Sequence, residues 1–221
     1  MQLSPDDIIY FSLGPFAINA TLVFTWVVMA LLVLGSWLIT RNLTPDETLT
    51  RRQAVLEAVV TLIRGQIRDI TQQSPDRYLA FIGTLYLFIA AANLLAIIPG
   101  YEPPTGSLST TTALALCVFF AVPYFGIRQR GVLGYLRTYL QPTFFMLPFN
   151  IIAEISRTLA LAIRLFGNIL SGNILVAIMV TIIPLFVPTI LQALGLVIGQ
   201  IQAYIFAVLA AVYIASATRD L

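Results

Sequence analysis

Histidine and lysine are both missing from this 221-residue chain, whose twelve basic residues are all arginine. Without histidine it lacks the commonest metal ligand and the side chain that ordinarily titrates near neutral pH. Without lysine it can form neither a glycine-rich phosphate loop ending in Gly-Lys nor a Schiff base. Any nucleotide chemistry it serves must therefore be carried out by another chain, and neither a cofactor nor a metal is expected. Cysteine is reduced to Cys117, which sits in an apolar run and is read as a packing residue. Charge is scarce as well: 10% of the residues are charged against 59% hydrophobic. That balance is far more apolar than a soluble domain, so the solvent for most of the chain is lipid.

What is present is apolar sequence in long runs. The first, 16–39, follows a segment with Asp6 and Asp7 but no arginine. It lacks the basic leading region of a cleaved signal and is too long for one, so it reads as a first crossing. Residues 49–73 are arginine-rich, yet Leu56, Val60, Ile63, Ile67 and Ile70 recur at helical steps, with Glu57, Thr61, Arg64 and Arg68 on the other face. This pattern predicts a helix lying in the membrane interface. Crossings follow over 78–98 and 109–127, joined by a loop that carries Glu102, Pro103 and Pro104 and no arginine. Two longer runs, 144–183 and 189–218, are separated by Pro184 and Pro188, which mark a tight hairpin. At about 1.5 Å per residue, helices of that length exceed the roughly 30 Å hydrocarbon layer and must tilt or project. The fold expected is an all-α membrane protein of one domain. It has about five transmembrane helices plus one interfacial amphipathic helix, and the last two helices are long, tilted and paired in a hairpin.

Arginine gathers after the first and third crossings, at Arg41 and at Arg128, Arg130 and Arg137, and is absent before the first and after the second. The positive-inside rule then puts the N-terminus outside and the C-terminus, with Arg219, in the cytoplasm. Within the hairpin the charged residues are Glu154, Arg157 and Arg164. Arg164 lies between Ile163 and Leu165, where an ionised group costs several kcal/mol unless it meets protein or water. It can snorkel to a headgroup, pair with Glu154, or serve a function. Glu154 and Arg157, about one turn apart, suit a local ion pair. Arg164 stands about twenty residues before Pro184 and Gln202 about eighteen after it, so equal helical rise brings the two to similar depth. Gln192, Gly195, Gly199 and Gln202 form a stripe on the last helix, opposite Gly167 and Ser171, which also fits close packing of small residues.

Taken together these segments resemble a family. AIRLFGNILSG, from Ala162 to Gly172, looks like the signature of subunit a of F-type ATP synthases, the membrane stator and ion-channel subunit. AANLLAIIPGYEPPTGSLSTTTALAL from Ala91, GIRQRG from Gly126, AEISRTLAL from Ala153 and IQAYIFAVLAAVYIASA from Ile201 are similar to that family in order and spacing. The resemblance covers most of the chain. It implies a non-catalytic, ion-translocating subunit of the bacterial plasma membrane, lying beside a rotating ring of c-subunits that each carry one carboxylate. Peripheral-stalk b subunits, the other ATP synthase subunits and membrane lipids would be its partners, and nucleic acid would not.

By the same resemblance Arg164 corresponds to the essential arginine, Asn168 and Gln202 to positions that hold or surround it, and Glu154 to a polar position on the approach. Many members have a glutamate or histidine at the level of Asn173 or Gly195, where neither residue here can ionise. An access path lined by Asn93, Asn173, Gln192, Gln200 and Tyr213, or the substitution of another acid, would take their place, and either H+ or Na+ suits a hydrated polar path. A stand-alone secondary ion transporter is the rival reading, but the two halves of the chain show no repeat. A structural membrane scaffold, the other rival, has no need of Arg164.

Overall fold

Six helices account for most of the computed structural model, which describes residues 6, 9–13, 16–41, 51–72, 74–98, 100–140, 145–184 and 186–218. Five of them are long and apolar enough to cross a membrane: α1 (Ala20–Thr40), α3 (Asp76–Leu94), α4 (Leu108–Leu140), α5 (Met146–Ile182) and α6 (Phe186–Thr218). The sixth, α2 (Arg51–Thr71), is too polar. Ahead of α1 lies a small antiparallel hairpin of β1 (Ile9–Leu13) and β2 (Phe16–Asn19), paired with Leu13 opposite Phe16. Aromatic and β-branched residues on both sides of Gly14-Pro15 are strand and turn composition, and α1 accordingly starts at Ala20, four residues after Phe16.

The core is centred on α3 and α6. The buried stripe of α6 consists of Gly199, Gln202, Ala203, Phe206, Ala207, Ala210, Ala211, Ile214 and Ala215, at helical steps of three and four. Its alanines let α3 and α4 approach closely, which is how helices gain contact where no hydrophobic effect drives them together. Tyr78, Ile82, Leu85, Ile89 and Ala92 of α3 and Ala115, Val118, Ala121 and Val122 of α4 fill the same core.

α2 is the amphipathic helix that the sequence expects, and protein covers its buried stripe. Its apolar face meets protein: Ile63 and Ile67 are buried with Ile82, Ala207 and Ala211 around them, while Glu57, Thr61, Arg64 and Arg68 are exposed. Amphipathicity specifies that one face is covered without specifying by what. Arg64 pairs with Asp76 at the start of α3, and Tyr204 of α6 donates to Gln66 at 2.7 Å.

α4 continues well past 127, the end expected from hydropathy. It contains a break at Gly131, whose φ of 74° and ψ of 166° are open only to glycine. The segment after the break folds so that the Tyr135 ring covers Gly126: a Cβ on Gly126 would stand 2.6 Å from that ring.

α5 is the least enclosed part of the hairpin. Leu161, Ala162 and Leu165 turn inward, whereas Ile152, Ile155, Leu159, Ile163, Leu175 and Ile178 are exposed along its length. α1 is similarly open, with Trp26, Leu34, Trp37 and Leu38 on its surface, and Arg41 rests over the Trp37 ring at its end.

Candidate functional site

Arg164 lies on the open face of α5. The inward turn of Leu161, Ala162 and Leu165 leaves Ile163 and Arg164 facing out. Among the described residues Arg164 has no ion-pair or hydrogen-bond partner. Asn168, one turn further on, is half-buried and lends its backbone carbonyl to Ser171. Gln202 is 7% exposed, on the α6 stripe with Gly199, Ala203 and Phe206. No hydrogen bond joins it to Arg164 among the described residues.

At one end of the bundle α4, α5 and α6 enclose a polar cleft of about 240 Å³. Glu154, Arg157, Asn150, Tyr135, Tyr213 and Ser216 line it. The expected local pairing of Glu154 with Arg157 gives way here to another contact: the Arg157 guanidinium lies 5.8 Å above the Tyr213 ring. An aromatic face attracts a cation without withdrawing its charge. Tyr213 thus belongs with Glu154, at the end of α6 away from Asn93.

Near the other end stands a buried polar knot. Asn93 is 4% exposed; its amide donates to the Gly199 carbonyl at 2.8 Å and its oxygen accepts from the Thr105 hydroxyl at 2.7 Å. The Gln200 amide donates to the Ala90 carbonyl at 3.0 Å. Asn93 and Gln200 therefore tie α3 to α6, whereas Asn173 and Gln192 are exposed on α5 and α6. Beside this knot the Asp6 carboxylate accepts from Thr21 at 2.6 Å and Ser107 at 2.5 Å, and from Ser109 at 3.5 Å.

The reading of the glycine stripe as close packing needs correction at most of its positions. A Cβ at Gly167 or Gly195 would have nothing within 4 Å, so neither glycine is needed for close packing. Of the stripe's glycines Gly199 alone is tightly packed: a Cβ there would stand 3.2 Å from the Asn93 Cβ, so its neighbour is α3 and not α5.

Sequence reasoning did not single out Asp6, Thr105, Ser107, Tyr135 or Asn150 as site residues. Asp6 and Ser107 are 101 positions apart, and no local signal links them.

The comparisons come to the same family as the resemblance. The family model described as ATP synthase A chain matches residues 22–215. A protein named ATP synthase subunit a 2 from Picosynechococcus sp. (strain ATCC 27264 / PCC 7002 / PR-6) is 61% identical over 98% of this chain and 93% of its own length. Another of that name from Acaryochloris marina (strain MBIC 11017) is 58% identical over 99% of this chain and 94% of its own. ATP synthase subunit a from Albidiferax ferrireducens (strain ATCC BAA-621 / DSM 15236 / T118) is 58% identical over 99% and 95%.

Proposed function

The chain belongs to the ATP synthase A chain family, a non-catalytic membrane subunit of the complex, and we propose that it is the stator channel that couples ion flow to rotation. The observation that carries this reading is Arg164: a permanent charge on the outward, apolar face of a 37-residue helix, with no partner among the described residues. Such a charge needs a counter-charge, since burial in hydrocarbon alone costs several kcal/mol. A passing carboxylate of a c-subunit rotor ring supplies it. Guanidinium stays protonated at any working pH, so it draws the ring carboxylate into its ionised form without handing on a proton. An ion can then cross only by travelling round with the ring.

The open apolar faces of α5 and α6 are the surface on which the ring turns, and Asn168 and Gln202 hold the surroundings of Arg164 polar. Two half-channels reach it. The cleft around Glu154, Asn150 and Tyr213 is the inner one, and the end that carries Asn93, Gln200, Asn173 and Gln192 is the outer one. H+ or Na+ is the coupling ion. The protein lies in a bacterial plasma membrane with its N-terminus outside and C-terminus in the cytoplasm, held by peripheral-stalk b subunits.

Replacement of Arg164 by alanine tests this reading. The complex should assemble and its soluble head should hydrolyse ATP, while ATP-driven ion pumping in inverted vesicles and ATP synthesis are lost. Arg164→Lys, which keeps a charge but not the planar fork, should be severely impaired too. Near-normal pumping by assembled Arg164→Ala complexes would return the residue to a lipid-snorkelling role.

A further inference from the structure

Three carboxylates belong to the N-terminal segment and the α3–α4 loop: Asp6, Asp7 and Glu102. Asp7 lies outside the described residues, and Glu102 is half-buried on its loop. Asp6 is set into a built site. Thr21, at the first turn of α1, is 4% exposed; Ser107, which precedes α4, is 0% exposed; both point a hydroxyl at the carboxylate. The Ser107 and Ser109 hydroxyls are themselves 2.6 Å apart. Three hydroxyl oxygens, those of Thr21, Ser107 and Ser109, thus surround the two oxygens of Asp6. Two residues before Thr21, the Asn19 side-chain oxygen is buried with no donor among the described residues, so this end also holds an uncommitted acceptor.

The position of this cluster relative to the rest of the chain gives it a role. Residues 104–107 are all buried, in a turn packed against α1, α3, α4 and α5. From that turn Ser107 reaches Asp6, and two residues earlier Thr105 reaches Asn93, whose amide meets Gly199 on α6. Gln202 is one helical turn further along α6. Polar side chains therefore link the Asp6 cluster, through the buried turn and Asn93, to a point on α6 one turn from Gln202, the residue that the sequence puts at the depth of Arg164.

Resting on the stator reading above, we propose that Asp6, with the Thr21, Ser107 and Ser109 hydroxyls, is the site at the outer mouth that collects the translocated monovalent cation. Its ligands are hard oxygens, which take a proton on the carboxylate or an alkali ion in the cluster. A single anion at the mouth of a low-dielectric path raises the local cation concentration. The neighbouring titratable groups are few. Tyr101 packs edge-on against Phe24 of α1, and burial holds its phenol well above the usual range, so it stays neutral at working pH. Glu102 is the other described carboxylate of the N-terminal segment and the α3–α4 loop. α1 itself bears no charged residue before Arg41 follows it, α4 none before Arg128, and α6 none at all.

The test uses the whole complex in proteoliposomes with the ATPase head outward, making ATP under a fixed potassium diffusion potential. Lumenal pH is varied without sodium in one arm, and lumenal Na+ at constant pH in the other; the wild type shows which cation drives synthesis. Asp6→Asn keeps acceptor and size but loses charge, and should raise the half-saturating concentration of that cation about tenfold. Asp6→Glu should restore it, and Glu102→Gln should move it by less than about twofold. A shift seen in Asp6→Ala but not in Asp6→Asn would mean a structural strap and overturn the site. So would an equal shift in Glu102→Gln, which would mean diffuse surface charge. If Asp6→Asn does not co-purify with the head, Ser109→Ala carries the test: a smaller shift of the same sign supports the site, and none refutes it. An unshifted Asp6→Asn beside an inactive Arg164→Ala refutes the site alone; wild-type synthesis indifferent to both cations refutes the stator reading.

Discussion

Asn93 shows how a residue chosen for one role is held in place by another. The sequence offers it as polar lining, yet its amide group bonds Gly199 and Thr105 inside the bundle. Interhelical hydrogen bonds in membranes are individually modest, near 1 kcal/mol, but leaving the buried Thr105 hydroxyl without a partner adds its own cost. Gly199 is bound to the same arrangement, since a Cβ there would stand 3.2–3.3 Å from the Asn93 Cβ, Cγ and Nδ2. Asn93→Ala and Gly199→Ala are each expected to lower stability by roughly 1–3 kcal/mol, read as a fall in the thermal midpoint of the detergent-solubilised complex. Because Asn93→Ala removes two of the three atoms that crowd Gly199, the double mutant should lose less than the sum of the singles. Strict additivity would mean that the two residues do not act as a unit.

At the scale of elements, α4 depends on its break. Gly131 sits at φ 74° and ψ 166°, a region that costs a residue with a Cβ about 1–3 kcal/mol. The turn it permits lays Tyr135 over Gly126, and Tyr135 is one wall of the polar cleft with Glu154. Gly131→Ala is expected to reduce stability by that amount and to depress ion pumping through displacement of Tyr135. Gly126→Ala should do the same by steric means. Tyr135→Ala in the Gly126→Ala background should recover assembly, because the ring is the obstacle; no recovery would place the defect at the Ala217 carbonyl, 3.4 Å away, instead. None of this was legible in the sequence, where Gly131 follows Arg130 without any sign of a positive φ. Nor was the covering of α2, because an apolar stripe fits α3 and α6 as well as it fits lipid. Legibility was good where physics is one-dimensional. Twenty or more apolar residues read as a crossing, and an arginine between Ile163 and Leu165 reads as costly wherever it lies. It failed where partners are distant, as for Asp6 with Ser107 or Asn93 with Gly199.

Across the whole molecule, arginine divides by end, and the hydrogen bonds say which segments share an end. Asp6 bonded to Ser107 and Ser109 puts the N-terminal segment beside the α3–α4 loop. Tyr78 at the start of α3, bonded to Gln129 of α4, belongs to the other end, with Tyr135 and Ser216 nearby. The first end bears Asp6 and Glu102 and no arginine; the second bears Arg77, Arg128 and Arg130. Translocating arginine across a bilayer is the costly step, so the arginine-bearing end is expected to stay in the cytoplasm. The prediction is that, in a Cys117→Ser background, a cysteine at Glu102 reacts with an impermeant maleimide in right-side-out vesicles. One at the exposed Arg128 should react only in inverted vesicles. Glu102 and Arg128 flank the apolar part of α4, so the pair is a direct measure of one crossing. Reaction of both from the same side would mean that α4 does not span, and the reverse pattern would turn the molecule over. An inverted molecule would also place Asp6 on the cytoplasmic side and exchange the two half-channels proposed to reach Arg164.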